Sequence, residues 1–260
     1  MKRALKLTYD GSLFSGWQRQ KNAPSVQQTL EETWHGLFGE LIRTTGASRT
    51  DAGVHARGQI VMFDTARTLT DDQVRLAVNS RLPEGLAVVT AVAVPDSFHA
   101  RYGARGKLYT YRLETGPVRP VLERHMTAHK PADVDLVRIQ KALSLLEGER
   151  DFTALMDQGS PTRRPVRRIV SASADATGSR ICFRIKGDGF LYHMVRIIVG
   201  TVLLAGTGRL ELDAMCRLIE AKQRIGLGPT MPAHGLCLER VYYDRPLFGD
   251  DGISSLLAGR

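Results

Sequence analysis

Residues Phe190 to Gly208 read FLYHMVRIIVGTVLLAGTG, and no other stretch restricts the fold as tightly. Val195, Ile197, Ile198, Val199, Val202, Leu203 and Leu204 cover nearly every side of a helix from Leu191 to Leu204, so that helix has to be buried. The uncharged run inside it, between Arg196 and Arg209, is too short to span a bilayer, so no membrane partner is expected. Arg196 stands in the middle of this apolar surface. A guanidinium keeps its charge when buried, because its pKa lies above about 12. It must therefore meet an anion or carbonyl groups, or snorkel along its stem to the surface.

The rest of the chain arranges itself around that helix in two similar runs. The first has a strand at RALKLTYDG, a helix at PSVQQTLEETWHGLFGE with Val26, Leu30, Trp34 and Leu37 on one face, and a strand at GQIVMFDTA. A second helix follows at LTDDQVRLAVNSRLP, capped by Thr70 or Asp71. GLAVVTAVAVP hardly alternates and reads as a strand buried on both faces. The second run has a strand at GKLYTYRLETG and a helix at PADVDLVRIQKALSLLEGE ended by Gly148. Two strands turning near Thr177 and Gly178, the apolar helix, a helix at LELDAMCRLIEAKQ and a closing strand at GLCLERVYYD complete it. A chain of 260 residues holds two such α/β units, expected at 1–104 and 105–246 with a tail at 247–260.

Other function classes fall away for want of their residues. There is no phosphate loop, no G-x-G-x-x-G opening a helix and no G-x-S-x-G elbow. His125 and His129 in HMTAH lack the glutamate of a zinc protease, and no P-C-x-x-C occurs, so neither a metal nor a cofactor is expected. Three cysteines, Cys182, Cys216 and Cys237, form no C-x-x-C pair and suit a reducing cytoplasm. The opening MKRALKLTYDG has no apolar h-region, so a secretory signal is not expected. Lys and Arg number 36 against 27 Asp and Glu, a formal net charge of +9, which favours a polyanionic partner.

One carboxylate attracts notice. TTGASRTDAGVHARGQ, Thr44 to Gln59, carries Asp51 as the single acid between Glu40 and Asp64, with Arg49 and His55 on either side. Asp51 is a turn or cap residue, or it is the partner that Arg196 needs, held ionised and oriented by an arginine fork. An ionised, oriented carboxylate in an apolar cleft suits a nucleophile or a base. His55 suits a hydrogen bond that pins the loop. Further on, FHARYGARGKLYTYR interleaves Phe98, Tyr102, Tyr109 and Tyr111 with Arg101, Arg105, Lys107 and Arg112. Aromatics that stack on bases beside cations that hold phosphates serve single-stranded or flipped nucleic acid. Core tyrosines and solvated arginines in an ordinary strand would look the same. SPTRRPVRR adds Arg163, Arg164, Arg167 and Arg168.

Five blocks, YDGSLFSGWQRQ, ASRTDAGVHARGQ, FHARYGARGKLYTYR, GFLYHMVRIIVG and GPTMPAHGLCLERVYY, resemble in order those of the TruA family of tRNA pseudouridine synthases, over about Tyr9 to Asp244. The resemblance implies the pseudouridine synthase fold, two related α/β halves of α+β type with mixed, largely antiparallel sheets joined across a central cleft. It implies isomerisation of uridine to pseudouridine at positions 38, 39 and 40 in the tRNA anticodon arm, by a cytoplasmic homodimer without cofactor. It makes Asp51 the nucleophile, Tyr109 the residue that stacks on the target base and Arg196 the buried arginine that supports Asp51. Arg49 is then the residue that draws RNA into the site and fills the space of the flipped base. Arg101, Arg105, Lys107, Arg163, Arg164, Arg167 and Arg168 become candidates for the RNA backbone. The chain departs from the family pattern at Ser48, where glycine is usual, at Lys107, where arginine is frequent, and at Leu155, where an aromatic is expected.

Overall fold

The structure, a computed structural model, describes residues 1–159 and 164–248. Arg163 and most of the expected tail lie outside the described residues. In chain order the elements are β1 (Lys2–Tyr9), α1 (Val26–Phe38), β2 (Thr45–Gly46), β3 (His55–Asp64), α2 (Asp71–Asn79) and β4 (Leu86–Val94). Then come β5 (Gly106–Glu114), β6 (Ala128–His129), α3 (Leu136–Ser144), β7 (Gly148–Asp151), β8 (Val166–Thr177) and β9 (Arg180–Gly187). The chain closes with α4 (Met194–Gly206), α5 (Leu212–Glu220) and β10 (Leu236–Tyr242). Two compact units divide it, one of Met1–Lys107 with the segment from Leu238 onward, the other of Leu108–Cys237. The closing strand, grouped with the second half by its place in the sequence, thus lies from Leu238 in the first unit.

In the first unit the strand order is β4-β1-β3-β10, with β2 added to β3. β1 pairs antiparallel with both β3 and β4, Leu5 lying opposite Val61 on one side and Ala91 on the other. Leu5, Leu7, Val61 and Phe63 are buried, and the buried Trp34 of α1 meets the Phe63 ring edge-on at 4.8 Å. Each such side chain contributes about 1.5–3 kcal/mol of burial. Thr70 rather than Asp71 caps α2, in a full capping box with Gln73. The expectation that β4 is buried on both faces fails. Val88 is buried but Val89 is 46% exposed: the register against β1 shifts from Lys6 opposite Thr90 to Leu7 opposite Val88, which leaves Val89 out of the pairing on this edge strand.

In the second unit the order is β5-β9-β8-β7, with β6 parallel to β5. β8 and β9 form the expected antiparallel hairpin, and Gly178 takes the left-handed turn position at φ +60. β7 pairs antiparallel with β8, and the chain is a mixed α/β protein of mostly antiparallel strands. α4 is buried along almost its whole length, as its composition demands, with Leu204 and Arg196 only half-buried. It starts at Met194, later than the apolar run suggests, because His193 adopts φ +60 and breaks the helical path. α3 ends at Ser144, ahead of Gly148, which instead opens β7. No helix among the described residues is long and apolar enough to cross a membrane.

Candidate active site

The segment Thr44–His55 leaves β2 and turns back into β3 in the first unit. Its anchor is a buried glutamate on α1. Glu31 Oε1 accepts from the Thr44 backbone N–H at 2.8 Å and from the Thr44 hydroxyl at 3.0 Å. Farther along, the wholly buried side chain of Gln59 on β3 grips Ser48 at two points. Its Oε1 accepts from the Ser48 N–H at 3.2 Å, and its Nε2 donates to the Ser48 carbonyl at 2.7 Å. The site where glycine is usual thus holds its serine by the backbone, which any residue offers.

The other wall comes from Tyr9–Trp17. The Trp17 N–H donates to the Thr50 carbonyl at 3.0 Å, the Gly53 N–H to the Phe14 carbonyl at 3.4 Å, and the Tyr9 and Thr50 hydroxyls meet at 2.7 Å. Contact is so close that a Cβ on Gly11 would stand 2.1 Å from the Val54 carbonyl oxygen. On Gly16, whose φ is +90, it would stand 2.7 Å from that of Thr50. Two of the sequence blocks are therefore one structural object, a loop and its backing.

Inside this frame Asp51 is half-buried. Its backbone carbonyl accepts from the Val54 N–H at 3.1 Å, and Gly53 takes the left-handed position at φ +81. The turn is thus closed by the backbone of Asp51. Arg49 is exposed. His55 is buried, and its Nδ1 accepts from the Gly11 N–H at 3.0 Å. Asp10 Oδ1, 3.2 Å from the same nitrogen, takes hydrogen bonds from the Ser12 N–H and hydroxyl. His55 does pin the loop, to the start of Tyr9–Trp17.

Gln59→Leu, of similar size, deletes both bonds to the buried Ser48 backbone. It is expected to lower stability by about 1–3 kcal/mol, read as a shift of the urea midpoint. An unmoved midpoint would show that the grip on Ser48 contributes nothing.

The second unit holds the other candidates. Tyr109 and Tyr111 project from the same face of β5. Tyr109 is 6% exposed and meets the Phe190 ring edge-on at 5.2 Å. Tyr111 is wholly buried and its hydroxyl donates to the Pro232 carbonyl at 2.9 Å. Burial pushes the Tyr111 phenol far above its ordinary value, against a smaller opposite pull from the Arg196 charge, so it stays a neutral donor. Arg196, on the first turn of α4, donates from Nε to the Met231 carbonyl at 2.6 Å, and its own carbonyl accepts from the Met231 N–H at 3.3 Å. Of the ways to satisfy a half-buried guanidinium, a carbonyl is thus one that is used. The loop carrying that carbonyl touches α4 backbone to backbone. A Cβ on Gly200 would stand 2.0 Å from the Pro229 carbonyl oxygen, and one on Gly228 2.0 Å from the Gly200 carbonyl carbon.

The arginines assigned to RNA backbone differ in situation. Arg101 is exposed beside the 75% exposed Tyr102, its guanidinium carbon 5.7 Å from the ring centroid. Exposed Arg105 forms a two-nitrogen pair with Asp244, at 2.8 and 2.7 Å, and would have to exchange a carboxylate for a phosphate. Lys107 is half-buried on β5. Arg167 donates to the Arg164 and Val166 carbonyls at 2.7 and 2.6 Å, while the Arg164 and Arg168 side chains are exposed. Glu31, Gln59 and the glycine contacts were not anticipated from sequence. The glycines of YDGSLFSGW were the available signal.

A model of the tRNA pseudouridine synthase family matches residues 7–103 and 142–244. Among curated relatives, tRNA pseudouridine synthase A of Clostridium kluyveri is 41% identical over 239 residues, 92% of this chain and 98% of that one. The proteins of the same name from Acetivibrio thermocellus and Moorella thermoacetica are each 42% identical, over 239 and 241 residues, with the same shares covered.

Proposed function

Because this chain belongs to the tRNA pseudouridine synthases, isomerases acting on tRNA, we propose that it converts uridine to pseudouridine at positions 38, 39 and 40 of the anticodon stem-loop, with Asp51 as nucleophile. The observation that carries this reading is the Asp51 turn, closed by backbone bonds and walled by Tyr9–Trp17, which holds the single carboxylate of its segment.

The reaction breaks the N1–C1′ bond of uridine, rotates the uracil and joins C5 to C1′. No electrons or groups are gained or lost, so the chemistry needs no cofactor. A carboxylate serves by attacking C1′, by attacking C6 or by taking the 2′ proton to give a glycal, and each route requires Asp51 ionised. The target base must first leave the stack, at about a few kcal/mol. Tyr109 stacks on the flipped uracil and serves proton transfer at C5. Arg49, exposed beside Asp51, handles the RNA, and Arg196 supports the reaction. Arg101, Arg105, Lys107, Arg163, Arg164, Arg167 and Arg168 are the proposed backbone contacts. Homodimerisation and a cytoplasmic location complete the reading, on the family resemblance.

The test maps pseudouridines in tRNA from a strain lacking the gene. Loss at 38, 39 and 40, restored by the wild-type gene, is expected; loss at other positions alone would overturn the assignment of position. The net charge of +9 adds a second expectation. With about six phosphate contacts, the log of tRNA affinity should fall with the log of salt concentration at a slope of roughly −4 to −5. A flat response in a filter-binding series would remove the electrostatic basis of binding.

A further inference from the structure

One carboxylate of the second unit gathers three side chains and has no part in the mechanism above. Asp157 Oδ2 accepts from the Thr230 hydroxyl at 2.6 Å and from His193 Nδ1–H at 2.8 Å, and Oδ1 accepts from Arg224 Nε at 3.3 Å. Arg224 continues inward, with Nη1 on the Gly228 carbonyl at 2.8 Å and Nη2 3.4 Å from the Thr230 hydroxyl. Burial raises the Asp157 carboxyl, but the bonds from Thr230, His193 and Arg224 outweigh it and hold the group below its ordinary value.

The partners of Asp157 flank Arg196 on both sides. His193 is the residue on which α4 begins, and its carbonyl accepts from the Ile197 N–H at 3.0 Å. Thr230 immediately precedes Met231, whose carbonyl receives Arg196 Nε. His193 holds φ +60 without a side-chain cap bond to the helix. A residue with a Cβ takes that conformation uncommonly, and such positions gather at functional sites. The Tyr192 ring stacked at 3.7 Å and the Asp157 carboxylate both hold this one.

We propose that Asp157 is a positioning residue, fixing the place of Arg196 through His193 at the start of its helix and through Thr230 beside the carbonyl that binds it. This rests on the reading that Arg196 serves the isomerisation.

The test measures kcat and KM for tritium release from tRNA labelled at uracil C5, with melting temperatures alongside, in Asp157→Ala, Asp157→Asn, Arg196→Lys and the Asp157→Ala/Arg196→Lys double variant. Asp157→Ala is expected to lose about 10- to 100-fold in kcat while KM stays within about twofold. The Asn oxygen still accepts from Thr230 and His193, so Asp157→Asn should stay within about threefold of wild type. The double variant should be no slower than Arg196→Lys alone, because both changes act on one group. Thr230→Val cuts the same tie at constant volume and gives the reading if Asp157→Ala does not fold. Arg196→Lys at the wild-type rate would strike the role of Arg196 and this inference with it. Slow Arg196→Lys beside wild-type kcat in Asp157→Ala, or losses that multiply in the double variant, would overturn this inference alone.

Discussion

Asp51→Asn is expected to bind tRNA as tightly as the wild-type protein and to lose about three orders of magnitude or more in turnover. The amide is the same size as the carboxylate but is neither a nucleophile nor a base, so all three chemical routes stop at once. The backbone frame of the turn is kept. The turn is closed by the Asp51 carbonyl and the Val54 N–H, and its wall by the Thr50 carbonyl and the Trp17 N–H. These are backbone groups that the substitution leaves alone. Tritium release and filter binding on the same preparations separate the two effects. Full turnover by Asp51→Asn would sink the nucleophile assignment. A wild-type protein that binds tRNA but releases no tritium either would mean a binding module rather than a synthase.

Gly200→Ala should be among the most damaging single methyls in the second unit. The added Cβ would stand 2.0 Å from the Pro229 carbonyl oxygen, a backbone atom on a segment tied down by Gly228 and Thr201. Neither side can yield by rotating a side chain. Overpacking of this kind costs about 3 kcal/mol or more, which for a chain of this size lowers the melting temperature by about 6–12 °C. Activity should fall as well, because Pro229 and Met231 lie on one short segment and the Met231 carbonyl holds Arg196. Calorimetry and a rate measurement below the new transition check both. A melting temperature within a degree or two of wild type would mean that α4 and the Gly228–Pro229 segment can part freely.

Local pattern made much of the fold legible. The faces of α1, the Thr70 cap and the hairpin at Thr177–Arg180 follow from spacing and turn chemistry over a few residues. The burial of α4 follows from composition alone. What failed depended on distant neighbours. β4 looked doubly buried because it is largely apolar, yet a register shift against β1, which no local pattern encodes, leaves Val89 unpaired with β1 and exposed. The start of α4 was hidden because the left-handed His193 is stabilised by Asp157 and Tyr192, one of them far off in sequence.

The candidate residues divide in the same way. Asp51, Arg49, Tyr109 and Arg196 stood out by type and by their blocks, but the residues that hold them did not. Glu31 reads as one acid among several on a surface helix, and nothing near it announces that Thr44 will claim its carboxylate. Gln59 sits in a strand where a glutamine is usually solvated, and its burial shows only once Ser48 lies across from it. Asp157 follows a 3₁₀ turn in an otherwise unremarked stretch.

The return of the chain to its first unit also sets a timetable. β3, which receives the Asp51 loop, pairs with β1 on one side and with β10 on the other. β1 is made early, but β10 is the last strand among the described residues to leave the ribosome. At about 5–20 residues per second, the chain between Asp64 and Leu236 takes on the order of ten seconds to synthesise. Throughout that interval the β3 edge that β10 joins is paired only with β2, at Val61 and Met62, and the sheet beneath the Asp51 turn is not finished until β10 arrives. A nascent chain therefore carries Asp51 long before it carries the whole framework around it.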